Sequence, residues 1–140
     1  MKTILWIMGA IILLSCSSQD DDLQPQNDNE NQTEIANIPV AIANYQKATN
    51  SENIDQYMAI FTDNIVMIDV NRTFNGKAAV RPWAIREVMP IGDTFKLLRI
   101  LEQENGYAKT EVKWSSWEAH YHFWWNENNE ITKMSLQYKD

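Results

Sequence analysis

The stretch from Asn44 to Asp69, NYQKATNSENIDQYMAIFTDNIVMID, decides the predicted fold. Its pattern indicates two short helices that lead into one strand. The first helix is expected at about residues 37–50, and Asn53, a residue type that caps helices well, begins the second. Residues 65–70 are rich in β-branched side chains, which is typical of a strand. Side chains suited to burial recur every three or four residues along both helices: Ile38, Ile42, Tyr45 and Thr49 on the first, and Ile54, Tyr57, Met58 and Phe61 on the second.

The rest of the chain supplies a third helix and most of a sheet. Residues 62–64 are predicted to form one turn and Asn75-Gly76 another. Residues 77–88 have helical composition, although Pro82 removes one backbone donor. Alternating apolar and polar residues then predict four strands joined by short loops: 94–103, 107–114, 117–126 and 130–138. We therefore expect an α+β fold in which a curved antiparallel sheet packs against N-terminal helices.

Asp69 and Tyr45 are the candidates for chemistry. Asp69 has the strand parity of Ile65 and Met67, so an inward carboxylate would lie among apolar groups, where it could act as a general base. The alternative is a structural aspartate that bonds to the following turn or pairs with Arg72. Tyr45 could polarise a carbonyl with its hydroxyl, or it could be a core tyrosine whose hydroxyl bonds the backbone.

Aromatic residues are the second notable feature, with six tryptophans in 140 residues. On the predicted strand at 117–126, alternate positions place Trp117, Ala119, Tyr121, Phe123 and Trp125 on one face, which is the better candidate for a cavity or core. A flat apolar or aromatic ligand suits such walls, although a filled core would show the same pattern. The predicted ligand-contacting residues are Tyr57, Met67, Trp83, Trp114, Tyr121 and Phe123.

The opposite face of that strand carries His120 and His122, with Glu118 at the same parity. Such a group could bind a metal at the surface, but an H-x-H pair lacks a third ligand, and a polar outer face is the common alternative. We therefore predict no metal site. Trp124 would be exposed or at an interface, which makes a homodimer through the sheet face a further option. Nucleotide-binding, Cys-x-x-Cys and nucleophile motifs are absent from the sequence, so no cofactor is expected.

Length and charge set the remaining limits. The chain of 140 residues suffices for one domain with a core. A formal net charge of −7 argues against nucleic acid and anionic lipid surfaces as partners.

The N-terminus has the order of an export signal. Lys2 provides the positive start, and the apolar run at 4–14 is too short for a comfortable membrane span. Leu13-Leu14-Ser15-Cys16 resembles a bacterial lipobox, which implies removal of residues 1–15 as a signal peptide and acylation of Cys16. The alternative is a secreted protein that is cut nearby and keeps a lone thiol.

Residues 16–33 are polar and acidic, and we interpret them as a disordered tether between the acylated cysteine and a domain at 34–140. The run from Ser18 to Asp22 is similar to the acidic surface-export tag of Bacteroidetes lipoproteins, with Gln19 as an interruption. A solvated charge run is the alternative. We expect a cell-envelope protein that is lipid-anchored to the outer membrane and, if the tag acts, exposed at the surface.

Two motifs carry a family resemblance: N-x-x-N-I-D-x-Y-M-x-I-F-T-D-N-I-V-M-I-D and F-N-G-K-A-A-V-R. With the element order, they resemble the nuclear transport factor 2-like superfamily, in its SnoaL-like and ketosteroid isomerase branches, over about residues 35–138. The resemblance implies a cone-shaped sheet around a pocket. It also matches Asp69 to the isomerase general base and Tyr45 to its catalytic tyrosine. The isomerase has an aspartate before its His-Phe pair, whereas Tyr121 precedes His122-Phe123 here.

Three functional hypotheses follow. The first is a lipoprotein whose cone domain binds a small, largely apolar ligand. The second is an isomerase, cyclase or dehydratase that uses Asp69 as the base and Tyr45 as the electrophilic donor. The third is a dimeric interaction module. Fold alone does not choose among them.

Overall fold

The computed structural model describes residues 37–139. The predicted signal peptide at 1–15, the acylated Cys16, the tether at 16–33 and the two ends of the predicted domain lie outside this range. Within residues 37–139, no helix is long and apolar enough to cross a membrane. The helices are α1 (Val40–Asn50), α2 (Ile54–Ala59) and α3 (Lys77–Glu87), followed by a 3-10 segment (Met89–Thr94). The strands are β1 (Phe61–Asp69), β2 (Arg72–Asn75), β3 (Lys96–Glu104), β4 (Tyr107–Trp114), β5 (Trp117–Trp125) and β6 (Ile131–Tyr138).

The strands form one six-stranded sheet in the order β2-β1-β6-β5-β4-β3. The predicted α+β fold, a curved sheet against N-terminal helices, is confirmed. Strands β3 to β6 form the predicted meander, and β1 and β2 form an antiparallel hairpin. The sheet departs from a purely antiparallel one at a single pairing, because β1 runs parallel to β6 with Asp69 opposite Leu136. The last strand therefore joins the first hairpin to the meander.

Strand β1 begins earlier than predicted. Residues 62–64, expected as a turn, lie inside it, and Phe61, expected on the second helix, is its first residue. Phe61 pairs with Ile131 of β6, and the Ile131 N–H donates to the carbonyl oxygen of Ile60 at 2.9 Å. The register shifts between Phe61 and Val66, which accommodates the extra residues. Long-range pairing here overrides the local turn preference of the sequence.

Two further differences from the prediction exceed a shift of one or two residues. Helix α1 begins at Val40 rather than at residue 37, with Pro39 at the N-cap position and no side-chain cap. Strand β2 was not predicted, and its hairpin with β1 turns at Val70, whose φ is 54°. The predicted N-cap of α2 is correct, since the Asn53 side chain accepts the N–H groups of two following residues at 3.0 Å each.

The core lies between the helices and one face of the sheet. Tyr45 of α1 and Tyr57 of α2 are fully buried there with the inward residues of β5, and the rings meet edge to face. On β1 the expected parity holds, because Ile65 and Met67 are fully buried and Asp69 nearly so. The first strand therefore carries Asp69 inward, at the end of the core that is nearest to α3.

Candidate functional site

A cavity of about 130 Å³ lies where the end of β1, the end of α3 and strands β4 to β6 meet. Eight of its eleven lining residues are apolar or aromatic, and three of these, Trp83, Trp114 and Tyr121, were predicted to contact a ligand. The cavity opens beside Arg72 and Tyr138, which are the two exposed residues of its lining. Its lining comprises Asp69, Arg72, Trp83, Glu87, Val88, Ile91, Trp114, Trp117, Tyr121, Leu136 and Tyr138.

Asp69 is held at the end of β1 by two donors. Its side chain is 11% exposed, and Oδ2 accepts hydrogen bonds from the Arg72 guanidinium and from Nε1 of Trp83, the latter at 3.1 Å. The other oxygen, Oδ1, accepts no hydrogen bond from a side chain or backbone group of residues 37–139. The two interpretations of Asp69 therefore coexist, since the carboxylate lines the cavity and also pairs with Arg72.

Arg72 connects two carboxylates at the mouth of the cavity. Besides Asp69, its guanidinium bonds both carboxylate oxygens of Glu87 at the end of α3, with Nη1 to Oε1 at 2.8 Å. Hydrogen bonding by Arg72 lowers the pKa of Glu87, against the opposing effect of burial. Among the lining residues that the structure describes, Arg72 alone is cationic, so its charge is shared between two acids.

The two tryptophans predicted to contact ligand differ in what their indole N–H groups do. Trp83 bonds Asp69, whereas Nε1 of Trp114 is buried and has no hydrogen-bond partner in the described part of the chain. Trp114 is 2% exposed and stacks on Trp117 with ring centroids 6.2 Å apart and planes inclined by 7°. The Trp114 indole N–H is therefore a buried donor without a hydrogen-bond partner in the described chain, on a residue that lines the cavity.

Tyr121 lines the cavity beside Trp114. Burial raises the pKa of Tyr121 well above its usual range, and the neighbouring Tyr45 adds to this rise. The Trp114 N–H acts in the opposite direction, although the two groups do not form a hydrogen bond of normal geometry. The Tyr121 hydroxyl therefore stays protonated at neutral pH and can donate a hydrogen bond.

Four predicted site residues do not line this cavity. Tyr45, Tyr57, Met67 and Phe123 are fully buried in the core, where the Tyr45 and Tyr57 hydroxyls share a hydrogen bond of 3.3 Å. Burial raises the pKa of Tyr45, and Asp69 contributes only the smallest of the identified effects. The predicted convergence of Tyr45 and Asp69 in one hollow is thus corrected, because the space next to Tyr45 is filled by aromatic rings.

Several lining residues were not assigned to the site from the sequence. Leu136 lies opposite Asp69 only because β6 pairs with β1, and sequence periodicity does not reveal which strands are neighbours. Trp117 had a usable signal, since it shares the inward parity of Tyr121. Arg72 could also have been assigned to the site, because the sequence indicated it as a possible ion-pair partner of Asp69.

The outer face of β5 is a network of local contacts. His122 Nδ1 and the Tyr107 hydroxyl form a hydrogen bond of 2.9 Å, and burial lowers the pKa of His122. His120 Nε2 lies 3.9 Å from Glu111. Among residues 37–139, no group of three or more His, Cys, Asp and Glu side chains is placed to hold a metal ion. Trp124 is half-buried, with the amine of Lys133 4.5 Å from its ring centroid.

Comparison with solved structures identifies the fold. No protein-family model and no curated protein matches the chain. Solved structures do match: a SnoaL-like protein from Burkholderia thailandensis superposes with a TM-score of 0.62 at 15% identity, covering 74% of this chain and all of the other. Rv0760c of Mycobacterium tuberculosis gives a TM-score of 0.60 at 10% identity, covering 71% of this chain and 89% of the other.

A third similar structure is that of the orange carotenoid protein of Anabaena (Nostoc) with bound canthaxanthin. It gives a TM-score of 0.57 at 16% identity and covers 73% of this chain. This chain spans only 37% of the carotenoid protein's length. The described domain therefore has the nuclear transport factor 2-like fold that SnoaL-like proteins share. In the described domain, the small, largely aromatic cavity has one arginine and two acids, Arg72, Asp69 and Glu87, among its lining residues.

Proposed function

We propose that this protein binds a small, largely apolar molecule in the cavity beside Asp69. The observation that carries the proposal is the lining, in which three tryptophans and several aliphatic side chains surround an open volume. Aromatic and aliphatic walls with a few placed polar groups are typical of small-molecule sites. The carotenoid bound by the orange carotenoid protein supports an apolar ligand in this fold.

The size of the cavity limits the ligand. A volume of about 130 Å³ is close to the roughly 150 Å³ of an apolar protein cavity that admits benzene. A carotenoid or a steroid is several times larger than this space. We therefore propose a ligand with one ring, or a short branched chain of similar volume.

The test is mass spectrometry of small molecules released from the purified protein. Val88 lines the cavity at 3% exposure, so Val88→Phe fills part of it, whereas Val40→Phe changes a residue that is 56% exposed on α1. We expect a retained compound in the wild type and in Val40→Phe, and much less in Val88→Phe. Equal retention by both variants, with both folded by circular dichroism, contradicts binding in this cavity.

We also propose that Cys16 anchors the protein in the cell envelope. The support is the sequence alone, in which Leu13-Leu14-Ser15 precedes the single cysteine. Several acyl chains hold a protein stably at a membrane. Cys16→Ser should move the protein from the membrane fraction to the soluble fraction, while Ser17→Ala should leave it in place. If Cys16→Ser stays in the membrane fraction as the wild type does, the proposal that Cys16 carries the lipid anchor is wrong.

A second candidate function is proton transfer at a carbon next to a carbonyl. The observation that favours it is Asp69, which lines the cavity and whose Oδ2 is fixed by Arg72 and Trp83 while Oδ1 has no partner in the described chain. Such an oxygen can accept a proton from a bound substrate. Tyr45 lies outside the cavity, so donation to the carbonyl falls to Tyr121 in this version.

Exchange of carbon-bound hydrogen tests the enzymatic candidate. In D₂O, the wild type should accelerate deuterium incorporation next to the carbonyl of a ring-sized ketone, and Asp69→Asn should abolish the acceleration. Glu127→Gln, which alters an exposed acid outside the cavity, is the control and should exchange at the wild-type rate. Equal rates for Asp69→Asn and the wild type would leave binding as the only role of the cavity.

A further inference from the structure

Asp69 has one carboxylate oxygen that the fold does not use. Oδ2 accepts hydrogen bonds from Arg72 and Trp83, whereas Oδ1 has no partner in the described part of the chain. Within residues 37–139, Nε1 of Trp114 is the one fully covered side-chain nitrogen or oxygen atom that lacks a partner. Because Oδ1 of Asp69 also lacks one, it is not fully covered and keeps accessible surface. Asp69 lines the cavity, so a bound molecule can contact a negatively charged acceptor there.

The charges of the cavity lining do not balance. Asp69 and Glu87 are acids, and Arg72 is the one base among the lining residues, so one positive charge stands against two negative charges. Arg86 approaches Glu87 to 3.9 Å from outside the lining, but its side chain is 61% exposed, so water screens its charge. The formal net charge of the whole chain, −7, has the same sign as that of the lining. The site therefore favours a cation over an anion.

Aromatic side chains are the second feature of the lining that suits a cation. Five of the lining residues are aromatic: Trp83, Trp114, Trp117, Tyr121 and Tyr138. An organic ammonium ion is attracted to the faces of such rings, and its alkyl groups gain from apolar contact at the same time. A metal ion needs several oxygen or nitrogen ligands instead, and no group of three or more His, Cys, Asp and Glu side chains is placed to hold one within residues 37–139. Among cations, the lining therefore suits organic amines.

We propose that the molecule bound in this cavity is an organic amine in its ammonium form, with one ring in the cavity and the ammonium group at Asp69. This inference rests on the proposed ligand-binding function and adds the chemical class of the ligand to it. The ammonium N–H groups donate to Oδ1 of Asp69, while the bonds from Arg72 and Trp83 to Oδ2 stay in place. The added positive charge balances the lining, and pairing with a carboxylate offsets the cost of taking the ammonium out of water.

Three probes with the same ring separate the charge classes: cyclohexylamine, which is an ammonium ion at neutral pH, cyclohexanol and cyclohexanecarboxylate. They are titrated by calorimetry into the full chain carrying Cys16→Ser, so that no acyl chain is attached. Cyclohexylamine should bind at least about tenfold more tightly than cyclohexanol, and cyclohexanecarboxylate should bind more weakly than both. Raising the salt concentration from about 50 mM to about 500 mM should weaken the binding of cyclohexylamine and leave that of cyclohexanol unchanged. These comparisons use no cavity variant and so do not depend on one that folds.

Two pairs of variants locate the contact. Asp69→Asn removes the charge and nearly keeps the shape, so it should weaken cyclohexylamine binding about tenfold while changing cyclohexanol binding less than about twofold. Glu127→Gln alters an exposed acid outside the lining and should change neither. Val88→Phe fills part of the cavity and should weaken both probes, whereas Val40→Phe on the exposed surface of α1 should weaken neither. Circular dichroism establishes that each variant is folded.

The outcomes are distinguishable. If cyclohexanol binds the wild type as tightly as cyclohexylamine, or if Asp69→Asn weakens both probes by the same factor, the assignment of an amine is wrong and the proposed binding function stands. If cyclohexylamine binds Val88→Phe as tightly as the wild type, it is held outside the cavity and the inference is wrong. If no probe binds the wild type, the inference is wrong, and the mass spectrometry of retained compounds decides the proposed function separately.

Discussion

Trp83 donates its indole N–H to Oδ2 of Asp69 at 3.1 Å, and this bond ties helix α3 to the last residue of β1. The relationship fixes the carboxylate in the cavity wall without consuming both of its oxygens. Trp83 therefore holds part of the site in place through a hydrogen bond, whereas the Trp114 indole N–H makes none in the described chain.

The first prediction compares the same substitution at these two tryptophans. Trp83→Phe removes a hydrogen bond to a nearly buried charged group, which is worth about 1.5–3 kcal/mol. Trp114→Phe removes a donor that has no partner in the described chain, so the loss of ring area is offset by relief of an unsatisfied group. We expect Trp83→Phe to lower the free energy of unfolding by about 2 kcal/mol more than Trp114→Phe, as measured by urea denaturation. Equal losses would show that the bond to Asp69 contributes little.

The second prediction concerns the end of α1. Glu52 follows the C-cap residue Ser51 with φ of 52°, in the left-handed region that favours glycine at this position. Glu52→Gly should therefore raise the free energy of unfolding by about 0.5–1 kcal/mol. Glu127→Gly is the control, because Glu127 is exposed and has no positive φ, and it should be neutral or destabilising. Stabilisation by both changes to the same extent would argue against relief of strain.

The third prediction concerns the contact between the 3-10 segment and α1. A Cβ atom at Gly92 would lie 2.4 Å from the carbonyl oxygen of Thr49, which is backbone and cannot move aside cheaply. Gly92→Ala should therefore cost about 3 kcal/mol, seen as a lower midpoint of chemical or thermal unfolding. Asp93→Ala, at the exposed next position, should stay within about 0.5 kcal/mol of the wild type. A mild effect at Gly92 would mean that the segment is less closely docked on α1.

The fourth prediction is a pH dependence centred on Glu111. This buried acid on the outer sheet face bonds Lys139 at 2.9 Å and Arg99 at 2.8 Å, and these bonds lower the pKa of Glu111 below its ordinary 4.5. As the pH falls, Glu111 therefore takes up a proton in the unfolded chain before it does so in the folded protein. The stabilisation of the fold by ionised Glu111 is present above about pH 4.5 and is lost as the pH falls through the lower pKa of the folded state.

The measurement is the free energy of unfolding between pH 3 and pH 7. Glu111→Gln should be less stable than the wild type at pH 7, and the difference should shrink below about pH 4.5. Glu127→Gln, an exposed change, should follow the wild-type curve throughout. A difference between wild type and Glu111→Gln that is constant with pH would contradict the role of the ionised form.

The periodic pattern of apolar residues correctly predicted helices and strands that bury one face in the core. The alternation through Ile65, Met67 and Asp69 identified the inward side of β1, because one residue of slippage would expose all three. The same argument held for Tyr121 on β5. Strand β2 was missed since four residues of mixed composition carry little periodic signal, and residues 62–64 were misassigned because their strand state depends on a partner 69 positions away in β6.

The site was harder to predict than the fold. The helical repeat placed Tyr45 on an inward face correctly, but it does not say whether the interior next to that face is empty or filled. In the structure, Phe95 and Phe123 occupy the space around its ring, and the open volume lies further along the sheet, beside Trp114. Whether the aromatic rings fill the interior or leave a cavity depends on distances between side chains on several strands. The spacing of residues along one segment of sequence does not give these distances.

The position of β6 has a consequence for how the protein is made. Because this strand lies between β1 and β5, the first hairpin has no place in the sheet until Ile131–Tyr138 has been synthesised and has left the ribosome. Pairing Asp69 with Leu136 also closes a very long loop, which slows folding relative to local contacts. A nascent chain stalled before β6 would therefore display β1 as an unprotected edge, and a chaperone that shields extended segments during translation would find its target there.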